Sequence, residues 1–202
     1  MTHDKLLPPK PIVITFDDGY KSFYNYVFPM LKQLGMKASL AIITGPMKDN
    51  GAYYLVSWQE VRAMAASGLV EVVSHTKTHP VLGKLRDKRK LALELYESDR
   101  DIARHMGKPS RIIVYPFGSY NWEVIKMAQA EYKMGITSDP GEDRYGDNVW
   151  KVKRISVHYG ATGSKINEEI NALSQPRPSR FRSYLEKLFG SQKHEYQPTR
   201  KL

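Results

Sequence analysis

The chain of 202 residues is long enough to bury a core of its own and suits one domain with a short extension. Its composition, 41% hydrophobic and 26% charged, is that of a globular protein; no apolar run approaches the ~20 residues of a membrane span, and "MTHDKLLPPKP" does not read as a secretion signal. The absence of cysteine excludes disulfides and thiolate metal sites, leaving His, Asp and Glu as the strong ligands.

Residues 11–16 form the first predicted strand, β-branched and bounded by Pro11 and an Asp-Asp-Gly turn. A helix over 22–34 places Phe23, Val27, Met30, Leu31 and Leu34 on one side; Gly35 stops it, and Pro29 kinks or splits it. A second strand, 37–43, precedes a helix opened by the capping box Ser57-x-x-Glu60 and closed at Gly68. The third strand is 69–74, and a long charged helix over 85–106 ends at Gly107. Strand four, 111–115, leads to a helix capped by Asn121, and 135–138 and 152–157 complete the strands.

Apolar strands alternating with helices imply parallel β/α layering covered on both faces, and six strands suit an open sheet or an incomplete barrel. The domain is expected over 1–175 and a basic extension over 176–202. The extension holds seven Lys/Arg against two acids, +5, half of the net charge of +10. It carries "SRFRSYLEKLFG" (179–190), an amphipathic helix expected to dock on the domain. An anionic envelope surface is the partner such a tail would take, although most basic tails are simply solvated.

In parallel β/α folds, chemistry gathers beyond the carboxyl ends of the strands. There lie Asp17-Asp18-Gly19, the stretch Ser74–His79, Pro116-Phe117-Gly118, Asp139 and His158. Singly each has a plainer explanation in a turn, a surface histidine pair or a loop; their shared placement points to a site. In a helical turn, His75 and His79 would point the same way, and with Asp18 they could hold a divalent ion that leaves a position for water. Asp17 would then be free to take a proton from that water, and the cation would relieve the repulsion between adjacent acids. Zinc is the default for such ligands, while cobalt, nickel or iron suit the same set.

"TFDDG" (15–19), "SHTKTH" (74–79) and "YPFG" (115–118), in this order, resemble the polysaccharide deacetylases of carbohydrate esterase family 4 over roughly 11–158. The resemblance implies a distorted, incomplete (β/α) barrel and a metal-dependent hydrolase that removes acetyl groups from N-acetylglucosamine units. It implies Asp17 as general base, Asp18, His75 and His79 as metal ligands, and the Phe117 N–H as oxyanion donor. Two positions depart from the pattern. The usual arginine of the third motif is replaced by Val114, with Arg154 able to supply a cation from another direction. The closing Leu-His motif has no clear counterpart, which leaves His158 as the candidate acid. "PPKPIVITFDDGY", "YPFG" and "WKVKRI" are similar to the branch acting on poly-β-1,6-N-acetylglucosamine of biofilm matrix; peptidoglycan, chitin-type oligomers and lipid-linked sugars stay open.

A long glycan would lie in an open groove lined by aromatics. Tyr20, Tyr115, Tyr120, Trp122 and Trp150, beside Pro116 and Phe117, are the candidates, with Tyr53, Tyr54 and Trp58 near the loop after strand two. A non-catalytic glycan-binding module on the same fold is the competing class. Nucleic-acid binding lacks a reading motif and is not expected. The compartment is expected to be the cell envelope or outside it if a leader has been removed, and the cytoplasm otherwise.

Overall fold

The computed structural model describes residues 11–45, 54–144 and 146–173, so Tyr53 and the expected tail helix over 179–190 lie outside the described residues. The chain divides into two compact units, Met1–Ala161 and Thr162–Leu202. The first holds six strands: β1 (Thr15–Phe16), β2 (Ala38–Ile42), β3 (Val70–Ser74), β4 (Ile112–Val114), β5 (Met134–Pro140) and β6 (Val152–Arg154). They pair in chain order and every neighbour is parallel. Parallel neighbours need long crossovers. Helices α1 (Phe28–Leu34), α2 (Trp58–Ala66), α3 (Lys88–Met106) and α4 (Trp122–Glu131) supply the first four.

The sheet curls. β1 and β6 are its opposite edges, and six flat strands spaced ~4.8 Å apart would hold them ~24 Å from each other. Yet Arg154 of β6 donates to the carboxylate of Asp17, just past β1, at 2.7 and 2.8 Å. The fold is thus an incomplete barrel whose open seam is crossed by a side chain, as expected from the sequence.

Local chemistry explains the helix ends. The Ser57–Glu60 capping box forms: the Ser57 hydroxyl accepts the Glu60 N–H and Glu60 accepts the Ser57 N–H. Asp87 caps α3 through the N–H groups of Arg89 and Lys90, and Asn121 caps α4 through Val124 N–H. The Pro29 effect takes a specific form. Phe23–Val27 is a π-helical stretch, with Phe28 N–H donating to Phe23 O, and α1 follows with Pro29 in its first turn. A proline ring clashes with the carbonyl four residues back in an α-helix, and the wider π turn accommodates it.

The sheet is buried on both faces. Leu40 and Ile42 of β2 pack with Phe23, Phe28, Leu31, Val61, Met64 and Ile102 under the helices. Ala41, between them, points the other way and joins Val73, Val114 and Ile136 inside the curl. Under α3 and α4, Leu82, Leu91, Leu95, Ile113, Val124, Ala128 and Tyr132 enclose Tyr115. The second unit's described part is α5 (Gly163–Leu173), opened by Thr162, whose hydroxyl accepts the Lys165 N–H. No helix among the described residues is long and apolar enough to cross a membrane.

Candidate active site

At the carboxyl end of β1 the chain turns sharply. Asp18 adopts φ 72° and Gly19 φ 77°, and a Cβ on Gly19 would press Ile42 Cγ2 at 3.1 Å, so only glycine follows the two acids. The turn sends the carboxylates to different partners. Asp17 takes the two-pronged bond from Arg154, whose Nε donates to Thr137 O at 2.8 Å and so fixes the guanidinium plane. A register shift between Ile136 and Pro140 of β5 accompanies that carbonyl's turn toward Arg154.

Asp18 faces the histidines. Its Oδ1 lies 3.4 Å from His75 Nε2 and 3.2 Å from His79 Nε2, and the two Nε2 atoms are 3.1 Å apart. A tetrahedral ion with bonds of about 2.0–2.1 Å sets its ligand atoms roughly 3.3–3.4 Å from one another. The three donors therefore stand at the separations that one such ion requires, and among the described residues they form the one group of this kind. His75 Nδ1 lies 2.7 Å from Val114 O; donating there, it leaves the Nε2 lone pair facing Asp18 and His79. Val114, which stands where the family pattern has arginine, thus serves through its carbonyl.

Electrostatics agree with the geometry. The hydrogen bond to His75 holds the Asp18 carboxyl below its ordinary range against the opposing effect of burial. Burial, then the nearby His75, holds the His79 imidazole below its ordinary range and favours the neutral, ligating form. The charge of Asp18 in turn pushes the Tyr20 hydroxyl up.

The helical turn expected over 75–79 does not form. Thr76 (φ 70°) and His79 (φ 62°) are both left-handed, and these two reversals bring the imidazoles together. Such residues cost about 1–3 kcal/mol each and persist where surroundings enforce them. Here Thr76 Oγ1 accepts the His79 N–H at 3.1 Å and Ser74 Oγ accepts the Thr76 N–H at 3.3 Å. From α3, Glu94 accepts the N–H of Thr78 at 2.8 Å and its hydroxyl at 2.5 Å, Ser98 pairs with Ser74, and Asp101 pairs with Lys77. Sequence reasoning missed this layer. Its signal was readable: Glu94, Ser98 and Asp101 fall at i, i+4 and i+7, a polar stripe beside the apolar one of Leu91, Leu95 and Ile102.

Other candidates are distributed unevenly. Phe117 (φ 57°) is exposed and lays its ring 4.6 Å from that of His79. Tyr115 is corrected: it is fully buried in the α3–α4 core with its hydroxyl on Trp150 O, so it cannot stack on a sugar, and Pro116 is buried with it. Trp150 packs against that core and Trp58 stacks on His105 at 4.0 Å, so both faces are engaged elsewhere. Tyr20, Tyr54 and Trp122 are exposed, and Tyr120 donates to Asp139 at 2.9 Å. His158 lies exposed beyond β6, and its ring makes no hydrogen bond or ion pair to the cluster among the described residues.

The family model described as polysaccharide deacetylase matches residues 4–136. A Bacillus subtilis (strain 168) protein provisionally named polysaccharide deacetylase YxkH is 32% identical over 174 residues, covering 86% of this chain and 61% of its own length. The poly-β-1,6-N-acetyl-D-glucosamine N-deacetylase of Staphylococcus aureus (strain MRSA252) is 30% identical over 163 residues, covering 74% of this chain and 55% of its own. The chain thus spans less than two thirds of either curated relative. Among solved structures, the Streptococcus pyogenes deacetylase PplD in complex with acetate superposes with a TM-score of 0.74 at 25% identity, over 83% of this chain and 74% of that one.

Proposed function

Because the chain belongs to the polysaccharide deacetylase family, we propose that it is a metal-dependent N-deacetylase of N-acetylglucosamine units in a polysaccharide, with poly-β-1,6-N-acetylglucosamine of biofilm matrix as the substrate. The observation that carries this reading is the division of labour between neighbours: Asp18 joins His75 and His79 in a donor triangle, while Asp17 is held outside it by Arg154.

Asp18, His75 and His79 would hold the ion, zinc by default for this donor set. A divalent cation bound there would supply Lewis acidity toward the acetyl carbonyl and would lower the pKa of water. Asp17 accepts the proton of the attacking water, and Arg154 keeps its carboxylate turned to that task. The Phe117 N–H donates to the oxygen that gains charge at the tetrahedral stage. The amine leaves with a proton; Asp17, already carrying one, and His158, on the loop beyond β6, are the donors in this chain. The exposed rings of Tyr20, Tyr54 and Trp122 are available to stack on sugar faces along an open rim. A matrix polysaccharide lies outside the cytoplasm, so the envelope or beyond is the location this proposal carries with it.

Elemental analysis of purified protein coupled to acetate release from a defined N-acetylglucosamine oligomer tests the reading. Asp18→Ala and His79→Ala are expected to abolish both metal content and amine release. Full activity in chelator-stripped protein would overturn it, and tight glycan binding with no acetate released would instead establish a binding module.

A further inference from the structure

We infer that Glu94 of α3 is a positioning residue for the His79 ligand, acting through Thr78. The inference rests on the metal-site reading above and extends it to a helix that contributes no ligand. Three bonds from the ligand loop end on this one residue: the Lys77 N–H on its backbone carbonyl at 3.1 Å, and the Thr78 N–H and hydroxyl on the two carboxylate oxygens. Both carboxylate bonds are charge-assisted and share one rigid group, so they fix the orientation of the Thr78 peptide as well as its place.

That peptide is the step immediately before His79. His79 sits in the left-handed region, which histidine enters more readily than most residues but which still costs energy that the surroundings must supply. The Thr76 hydroxyl that accepts the His79 N–H tethers the loop to itself, since Thr76 is left-handed too. Glu94 instead ties the loop to a nineteen-residue helix packed into the core through Leu91, Leu95 and Ile102. Ser98 and Asp101, on the same face, fasten Ser74 and Lys77, so this helix face grips residues 74–78 and leaves His79 at the end of the gripped segment. Without Glu94, His79 is free to relax from its left-handed conformation, and Nε2 leaves the triangle it makes with Asp18 and His75. His75 is anchored separately, by Val114 O, so the loss falls on one ligand of three.

The test measures the zinc dissociation constant of the full chain by competition with a chromophoric chelator, together with the melting temperature of the metal-free protein. Glu94→Ala is expected to raise the dissociation constant 10- to 100-fold, the range typical for removal of a group that orients a ligand. Glu94→Gln, which keeps one acceptor oxygen, should fall between wild type and Ala. Thr78→Val, which deletes only the hydroxyl donor, should raise it at least threefold and carries the test alone if Glu94→Ala does not fold. A lower melting temperature with unchanged zinc affinity in these variants assigns Glu94 a purely structural role and overturns the inference. A wild-type chain that takes up none of zinc, cobalt, nickel and iron sinks the parent reading and this one together, whereas wild-type binding with unaltered variants sinks this one alone.

Discussion

Replacing Asp99 by asparagine should stabilise the protein at neutral pH and do nothing in acid. Asp99 lies on the buried side of α3, and one of its carboxylate oxygens, Oδ1, has no hydrogen-bond partner. Burial pushes its pKa from the ordinary 3.8 up to about 6, although the Ser110 backbone N–H pulls the other way. The sign follows from proton counting. Between pH 3.8 and about 6 the folded state holds a proton that the unfolded chain has released, so stability falls as pH rises through that window. Across each pH unit of that window the folded state loses about 1.4 kcal/mol, so the loss totals on the order of 3 kcal/mol and is complete above the folded-state pKa. Asparagine keeps the shape and cannot ionise. Urea unfolding of wild type and Asp99→Asn at pH 4, 5, 6 and 7.5 should show curves that coincide at pH 4 and separate by up to ~3 kcal/mol at pH 7.5, a melting difference of up to roughly 6–12 °C. A gap that is the same at pH 4 and pH 7.5, or a wild type more stable at pH 7.5, refutes the argument.

Arg154→Met should cut acetate release by about 10²-fold or more, the scale of losing a positioned base, while metal content stays at the wild-type level. Arg154→Lys should not restore it, because an ammonium cannot span both Asp17 oxygens and also reach Thr137 O; recovery to within a factor of two of wild type would show that only the charge matters. Gly118→Ala should cost well over ~2 kcal/mol, since its new Cβ would meet Ser138 N at 2.9 Å, with Ser138 Oγ closer still, at a left-handed residue. Gly107→Ala, equally left-handed but with nothing within 4 Å, should cost only about 1 kcal/mol, and equal losses in denaturant midpoint would show that crowding plays no part.

The interior strands were legible and the edges were not. β2 and β3 fall within a residue or so of their expected limits because both are interior strands with long buried runs, broken in β3 only at Glu71 and Val72. β1 shrinks from six expected residues to Thr15–Phe16, with Ile12 and Val13 exposed, and β6 stops at Arg154 with Val157 exposed. Each lies at an open edge where only one neighbour offers a ladder, and a run of β-branched residues does not say whether a second neighbour exists. Capping residues announced α2 and α4 faithfully because a side-chain oxygen at a helix start acts locally. Asp18, His75 and His79 could be gathered from spacing and strand order, yet the means of gathering could not. Left-handed Thr76 and His79 carry no sequence mark, since neither residue type prefers that conformation. Tyr115 misled for a related reason: an aromatic at a strand end faces solvent or core according to the pleat, and here it faces the core.

The Arg154–Asp17 contact joins positions 137 residues apart in the chain. Every ligand of the triangle has been synthesised by the time His79 emerges, whereas the guanidinium that aims the base belongs to the last strand. On the function proposed above, the donor set also needs α3 and Val114 to hold it, so a growing polypeptide would complete its cation site only after β4, and hydrolytic competence would arrive only when the final edge swings round to meet the first. The seam left open by hydrogen bonding between strands is in this sense a latch, thrown by the end of the domain to switch on its beginning.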